Sequence, residues 1–140
     1  MYELVYTSKA SPDTTPEDIE NILNKARTFN EKYNITGCLL YYNKEFIQIL
    51  EGDRKVVRGL YKRISKDARH IDSMLITEGH KEERAFKDWS MAFHELNADD
   101  VNDMARELFK TNFIAFSEMA QKPTFPVIMF WNTARELLRK

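Results

Sequence analysis

Over residues 2–7 the chain alternates with a period of two: Tyr2, Leu4 and Tyr6 share one face and Val5 lies on the other, the pattern of a strand. Ser8 to Thr15 reads as a loop containing Pro12 and Asp13. The period then changes. Thr15-Pro16-Glu17-Asp18 combines a hydroxyl cap, proline at the first helical position and acids in the first turn. Ile19, Ile22, Leu23, Ala26 and Tyr33 follow at helical spacing, and Asn30 falls on the same stripe, a polar residue on an apolar face. Asn34-Ile35-Thr36-Gly37 closes this helix, and Cys38 to Tyr42 is a second strand, apolar on both faces. Asn43-Lys44-Glu45 is a tight connection into an antiparallel third strand, Phe46-Ile47-Gln48-Ile49-Leu50, which ends at the turn Glu51-Gly52-Asp53. Asp53 can cap a second helix with Val56, Val57, Leu60, Tyr61 and Ile64 as its stripe, closing near Asp67-Ala68-Arg69-His70. Gly59 inside that helix lowers its stability by about 1 kcal/mol and is expected to let a neighbour come close. Residues 71–79 predict a fourth strand and Trp89 to His94 a fifth, with Trp89, Met91 and Phe93 on one face. Beyond it, Asp99–Lys110 and Thr111–Gln121 are helical in pattern. After a break at Lys122-Pro123-Thr124-Phe125-Pro126, a last helix from Val127 to Lys140 carries Ile128, Met129, Trp131, Leu137 and Leu138.

Strand, helix, strand, strand, helix, strand is the split unit of the ferredoxin-like architecture, an α+β class. Right-handed crossovers put both helices on one face of the sheet. The first and third strands then lie side by side in the centre, so Tyr6 and Gln48 are neighbours and Asn30 sits above them. Strands apolar on both faces need cover on both sides. The two crossover helices cover one face, and the helical tail is the only material left for the other. The expected organisation is a domain over 1–96 and a C-terminal helical extension over 97–140 that packs on the sheet.

Composition narrows the functions. The chain is 43% hydrophobic and 31% charged, which is globular rather than disordered. A net charge of −1, with Lys and Arg alternating with Asp and Glu, gives no pull toward nucleic acid or an anionic membrane. No apolar run is long enough to span a bilayer. The N-terminus lacks the pattern of a signal peptide and the single cysteine, Cys38, has no internal partner, so a reducing cytoplasm is the expected setting. Cys38 itself reads as a small core residue. His70, His80 and His94 fall in three contexts without ligand spacing, so no metal site is expected. Four scattered glycines make no phosphate cradle. Hydrolytic and phosphoryl-transfer chemistry has nothing to point to.

What remains is a local conflict. Gln48 stands among Phe, Ile and Leu in a strand, and a buried amide without partners costs roughly 1–3 kcal/mol. Its oxygen and two N–H donors need either water or a polar group set against that face. Tyr6, Asn30 and Gln48 converge there, with Arg63 and Arg69 near the end of the second helix. Singly, each has a plainer reading: a core aromatic, a helix-end residue, a water-facing amide, solvated charges. Jointly they indicate a binding pocket. A phenol beside an amide in a dry slot suits a redox-active heterocycle, with Ile22 and Ile64 sandwiching a flat ring and the arginines holding an anionic tail.

The chain resembles the BLUF family, flavin-binding blue-light sensor domains. Leu4-Val5-Tyr6-Thr7-Ser8, Asn34-Ile35-Thr36-Gly37, Phe46-Ile47-Gln48-Ile49-Leu50-Glu51-Gly52, Asp67-Ala68-Arg69-His70 and Trp89-Ser90-Met91 carry the likeness, in order, over about residues 2–96. The resemblance implies a noncovalent flavin, FAD or FMN, between the two helices. It implies Tyr6 as photochemical electron and proton donor and Gln48 as the switching amide. Asn30 would hold the flavin's carbonyl edge and Ile22 and Ile64 would flank the ring, with Arg63, Arg69 and His70 near the ring edge or phosphate side. Trp89, Ser90 and Met91 would carry the signal into the fifth strand. Phe29, where the family often has a second polar side chain, departs from the pattern. The expected function is a photoreceptor, not an enzyme, acting on a protein partner or through self-association. The alternatives are a small flavin enzyme and a ferredoxin-like module binding another small ligand.

Overall fold

The computed structural model describes residues 1–42, 44–67, 70–86, 92–96 and 124–139. In chain order these form β1 (Tyr2–Ala10), α1 (Pro16–Lys32), β2 (Thr36–Tyr42), β3 (Glu45–Gly52), α2 (Arg54–Lys66), β4 (His70–His80), β5 (Ala92–Leu96) and a last described helix, α3 (Phe125–Arg139). The strands make one sheet in the order β4-β1-β3-β2-β5. Neighbours are antiparallel except β2 and β5, which run parallel. This is the expected ferredoxin-like sheet, with the fifth strand added beside β2.

Pleat alternation divides the core in two. Tyr2, Leu4, Tyr6, Leu39, Tyr41, Phe46 and Leu50 face α1 and α2 and pack with Ile19, Ile22, Leu23 and Val57. Val5, Cys38, Leu40, Ile47 and Ile49 face the other way and pack with Phe86, Val127, Phe130, Trp131 and Ala134. The sheet is therefore covered on both sides, and α3 supplies cover on the second. Each cap reads as the sequence indicates. Thr15 and Asp18 close a reciprocal capping box on α1, and the Asp53 carboxylate accepts the N–H groups of Lys55 and Val56 at 3.0 and 3.2 Å. These caps aim both helices across the same sheet face.

Five expectations need correction. β1 runs on to Ala10 rather than ending at Thr7, because Lys9 pairs with Glu45 and Ile71, and the Ala10 N–H donates to the Lys44 carbonyl at 2.8 Å. Tyr33 is not on the buried stripe of α1; it is the C-cap and is exposed. The fifth strand runs on to Leu96 rather than ending at His94; residues 89–91, its expected start, and both segments expected over 99–121 lie outside the described residues. α3 begins at Phe125, with Pro126 in its first turn, where no N–H is needed. Of the apolar residues expected on it, Trp131 is buried and Ile128 exposed; Val127, Phe130 and Ala134 join Trp131 against the sheet. The Phe86 ring packs on this side, with centroids 6.3 and 6.4 Å from those of Phe130 and Trp131.

The fifth correction is Gly59. It admits no close neighbour; a Cβ there would meet nothing within 4 Å. Only the helix penalty of glycine is left, so Gly59→Ala is expected to stabilise the protein by up to ~1 kcal/mol, read as a rise in thermal midpoint. A fall in midpoint would show that the backbone needs glycine there.

Candidate functional site

The β1–β3 ladder sets Tyr6 directly opposite Gln48, both on the face covered by α1 and α2. Tyr6 is fully buried and Gln48 nearly so, at 3% exposure. The Tyr6 hydroxyl donates to Gln48 Oε1. The amide in an apolar strand thus finds a partner on the adjacent strand. Burial pushes the Tyr6 phenol well above its ordinary range, and the nearby Tyr61 adds to the effect. The phenol is accordingly neutral and keeps its proton at any physiological pH. The two tyrosine rings lie 5.1 Å apart.

Above this pair, α1 and α2 wall a cleft of about 270 Å³, near the lower end for a small-molecule site. α1 contributes Ile22, Lys25, Ala26, Phe29 and Asn30, one helical face two turns long. Asn30 is fully buried, and its backbone carbonyl accepts the Ile35 N–H at 2.8 Å, which fixes the end of α1 against the start of β2. α2 contributes Leu60, Arg63 and Ile64 from the opposite wall. The Arg63 guanidinium lies over the Phe29 ring at 4.3 Å, joining the two helices by a cation–π contact. His70, at the start of β4, closes one end. Its Nδ1 is 2.9 Å from the Ser8 hydroxyl and its ring is 4.7 Å from that of Phe46.

Tyr6, Ile22, Asn30, Gln48, Arg63, Ile64 and His70, named from the sequence as candidates, therefore line one cleft. Arg69, Trp89, Ser90 and Met91 lie outside the described residues. Sequence reasoning missed Lys25, Leu39 and Leu60. Lys25 stands three residues after Ile22, and Leu39 pairs with Gln48 across the β2–β3 ladder, so both were reachable by spacing and register. Cys38 is fully buried on the opposite face, where burial pushes its thiol up and it packs as a small core residue. Among the described residues no three His, Cys, Asp or Glu side chains group as a metal site, and no helix is long and apolar enough to cross a membrane.

Comparison with known proteins places this geometry. The photoactivated adenylate cyclase subunit beta of Euglena longa is 35% identical over 89 residues, which are 63% of this chain and 10% of that protein. The chain thus spans about a tenth of the length of that curated relative. The solved structure of BlsA in its photo-activated state superposes with a TM-score of 0.69 at 29% identity, covering 99% of this chain and 95% of the other. The dark-state structure of BlrB, a BLUF protein, superposes with a TM-score of 0.65 at 29% identity over 80% of this chain and 83% of its own. Residues 1–92 match the family described as BLUF, sensors of blue-light using FAD, and this chain belongs to that family.

Proposed function

We propose that the chain is a blue-light receptor whose switch is the Tyr6–Gln48 pair. The carrying observation is the buried Tyr6 hydroxyl donating to Gln48 Oε1 at the floor of the α1–α2 cleft. The donor set of the cleft fits a flavin. Ile22 and Ile64 on opposite walls would flank a flat ring, and the carboxamides of Asn30 and Gln48 would meet its carbonyls and ring nitrogens. Lys25, Arg63 and His70 would serve the ring edge or a phosphate, with Arg69 as a further candidate. The family's cofactor is FAD; FMN offers the same ring to the same side chains. Excited by blue light, the flavin supplies a strong one-electron oxidant.

With the flavin bound and excited, Tyr6 would give it an electron, and the hydroxyl proton would leave along the hydrogen bond to Gln48, which would relay it toward the ring because an amide is too weak a base to keep it. When that proton returns to Tyr6, the amide need not return with it. A carboxamide has an acceptor at one end and two donors at the other, so a half turn exchanges its roles. In a slot that excludes water such an exchange is strongly felt. Gln48 thus holds the altered state after the charges have recombined, and nothing net has been oxidised.

The altered hydrogen bonding then biases neighbouring elements. We take residues 1–96 as the flavin-binding unit and 97–140 as the extension that reads it. Trp89, Ser90 and Met91 would lead into the fifth strand, and the C-terminal helix would present the result to a protein partner or to a second copy. Tyr6→Phe is expected to keep flavin bound, since the ring and its packing remain, and to abolish the light-induced absorption shift. A shift of normal size in that variant would remove Tyr6 from the role.

A further inference from the structure

We propose that Lys81, together with Glu3 and Glu51, is the positioning cluster that ties the Tyr6–Gln48 pair to α3. The inference rests on Tyr6 and Gln48 being the light switch and gives that switch a route outward. Tyr6 pairs with Gln48, and three rungs along the same two strands Glu3 pairs with Glu51. Three residues is about 10 Å of strand, and an odd step turns the side chains to the other face. Each strand that carries one member of the switch under α1 and α2 therefore carries a carboxylate toward α3. Both carboxylates are buried, Glu3 at 1% and Glu51 at 0% exposure.

Lys81 holds the two together. Its Nζ donates to Glu3 Oε1 at 3.0 Å and to Glu51 Oε2. Beyond it, the strands grip different parts of the molecule. Glu51 accepts the N–H groups of Ala85 and Phe86 at 2.7 and 2.9 Å, and the Thr36 hydroxyl at 2.9 Å. That places the Phe86 ring against Phe130 and Trp131 of α3. Arg84 secures the same turn by donating to the Thr36 hydroxyl and to the Asn34 and Glu51 carbonyls. Glu3 Oε1 accepts the Thr124 hydroxyl at 2.8 Å, and that hydroxyl in turn accepts the Val127 N–H at the start of α3.

β3 thus supports the underside of α3 and β1 holds its first turn, with one lysine shared between them. A change in the Tyr6–Gln48 hydrogen bond that shifts β1 against β3 reaches α3 at both points. Charge-assisted hydrogen bonds in a dry interior tolerate little misalignment, so a small shift is enough to change them. Glu3 Oε2 is buried with no hydrogen-bond partner among the described residues. The β1 end is therefore the less satisfied one, and the link gives there first.

The test measures hydrogen exchange across residues 124–139 of the flavin-loaded chain, in the dark and under blue light. The light-induced absorption shift is recorded on the same samples. Wild type should show different exchange in α3 in the two states. The charge-balanced variant Glu3→Gln with Lys81→Gln should keep the absorption shift and lose that difference. Thr124→Val should do the same without touching a buried charge, and Thr124→Ser should restore it; this pair decides the matter if the double variant does not fold. A cluster with a merely structural role would raise exchange equally in dark and light and leave their ratio at the wild-type value, which would overturn the proposal. So would a wild type with a normal absorption shift and no exchange difference. A wild type with no absorption shift would instead overturn the reading of Tyr6 and Gln48 itself.

Discussion

Lys81→Met is expected to lower the stability of the protein by about 3–5 kcal/mol, the range for removing one partner of a buried ion pair. The Lys81 side chain is 2% exposed, and its ammonium is the cation that both Glu3 and Glu51 meet. Methionine keeps much of the volume but leaves two carboxylates without that cation, at positions that pair across one ladder. Their desolvation is then uncompensated. Replacing Glu3 and Lys81 together by glutamine removes one charge of each sign, and the pair of substitutions should cost much less than the sum of the two singles. Urea midpoints of wild type, Lys81→Met, Glu3→Gln, Lys81→Gln and the double glutamine variant measure both statements. A loss below ~1 kcal/mol for Lys81→Met would mean that the lysine behaves as an exposed surface pair does.

Gly37→Ala is the second large effect. A Cβ at Gly37 would stand 1.9 Å from the Ile49 carbonyl oxygen. That oxygen is backbone in the β2–β3 ladder, where Gly37 is opposite Leu50 and Cys38 opposite Ile49. No rotamer change relieves the overlap; the ladder itself has to open. The cost is expected at or above the top of the usual range for overpacking, about 3 kcal/mol. Because Leu39 pairs with Gln48 two residues on, the cleft floor would be disturbed as well, and flavin retention should fall with stability. Gly79→Ala is the control, since nothing lies within 4 Å of a Cβ there. If Gly37→Ala melts within a degree or two of wild type, the close approach of the two strands is wrong.

Much of the site was legible because it depends on periodicity. Ile22 and Asn30 fall on one stripe by helical spacing, and Tyr6 and Gln48 meet once the split β-α-β order sets β1 beside β3. Gly59 shows the opposite case. A glycine inside a helix signals a close neighbour or nothing at all, and only the position of neighbouring atoms decides. The stripe of α3 is similar. Ile128 and Val127 are equally apolar, and the local pattern does not say which is buried; Phe86, from a loop far away in the chain, does.

The buried charges were illegible for a stronger reason. Glu3, Glu51 and Lys81 read as ordinary members of a mixed surface, because a charge is tolerable inside only when its partners are present. Those partners lie 15 to 121 positions apart in the chain. By itself the sequence determined the order and type of elements, the caps, the face on which a phenol and two amides converge, and the family those residues belong to. The tertiary structure alone decided which carboxylates went inside, which side of α3 they hold, and how far the cleft opens. Periodicity is a local property of the chain, whereas the stability of a buried charge is set by whatever the fold brings next to it.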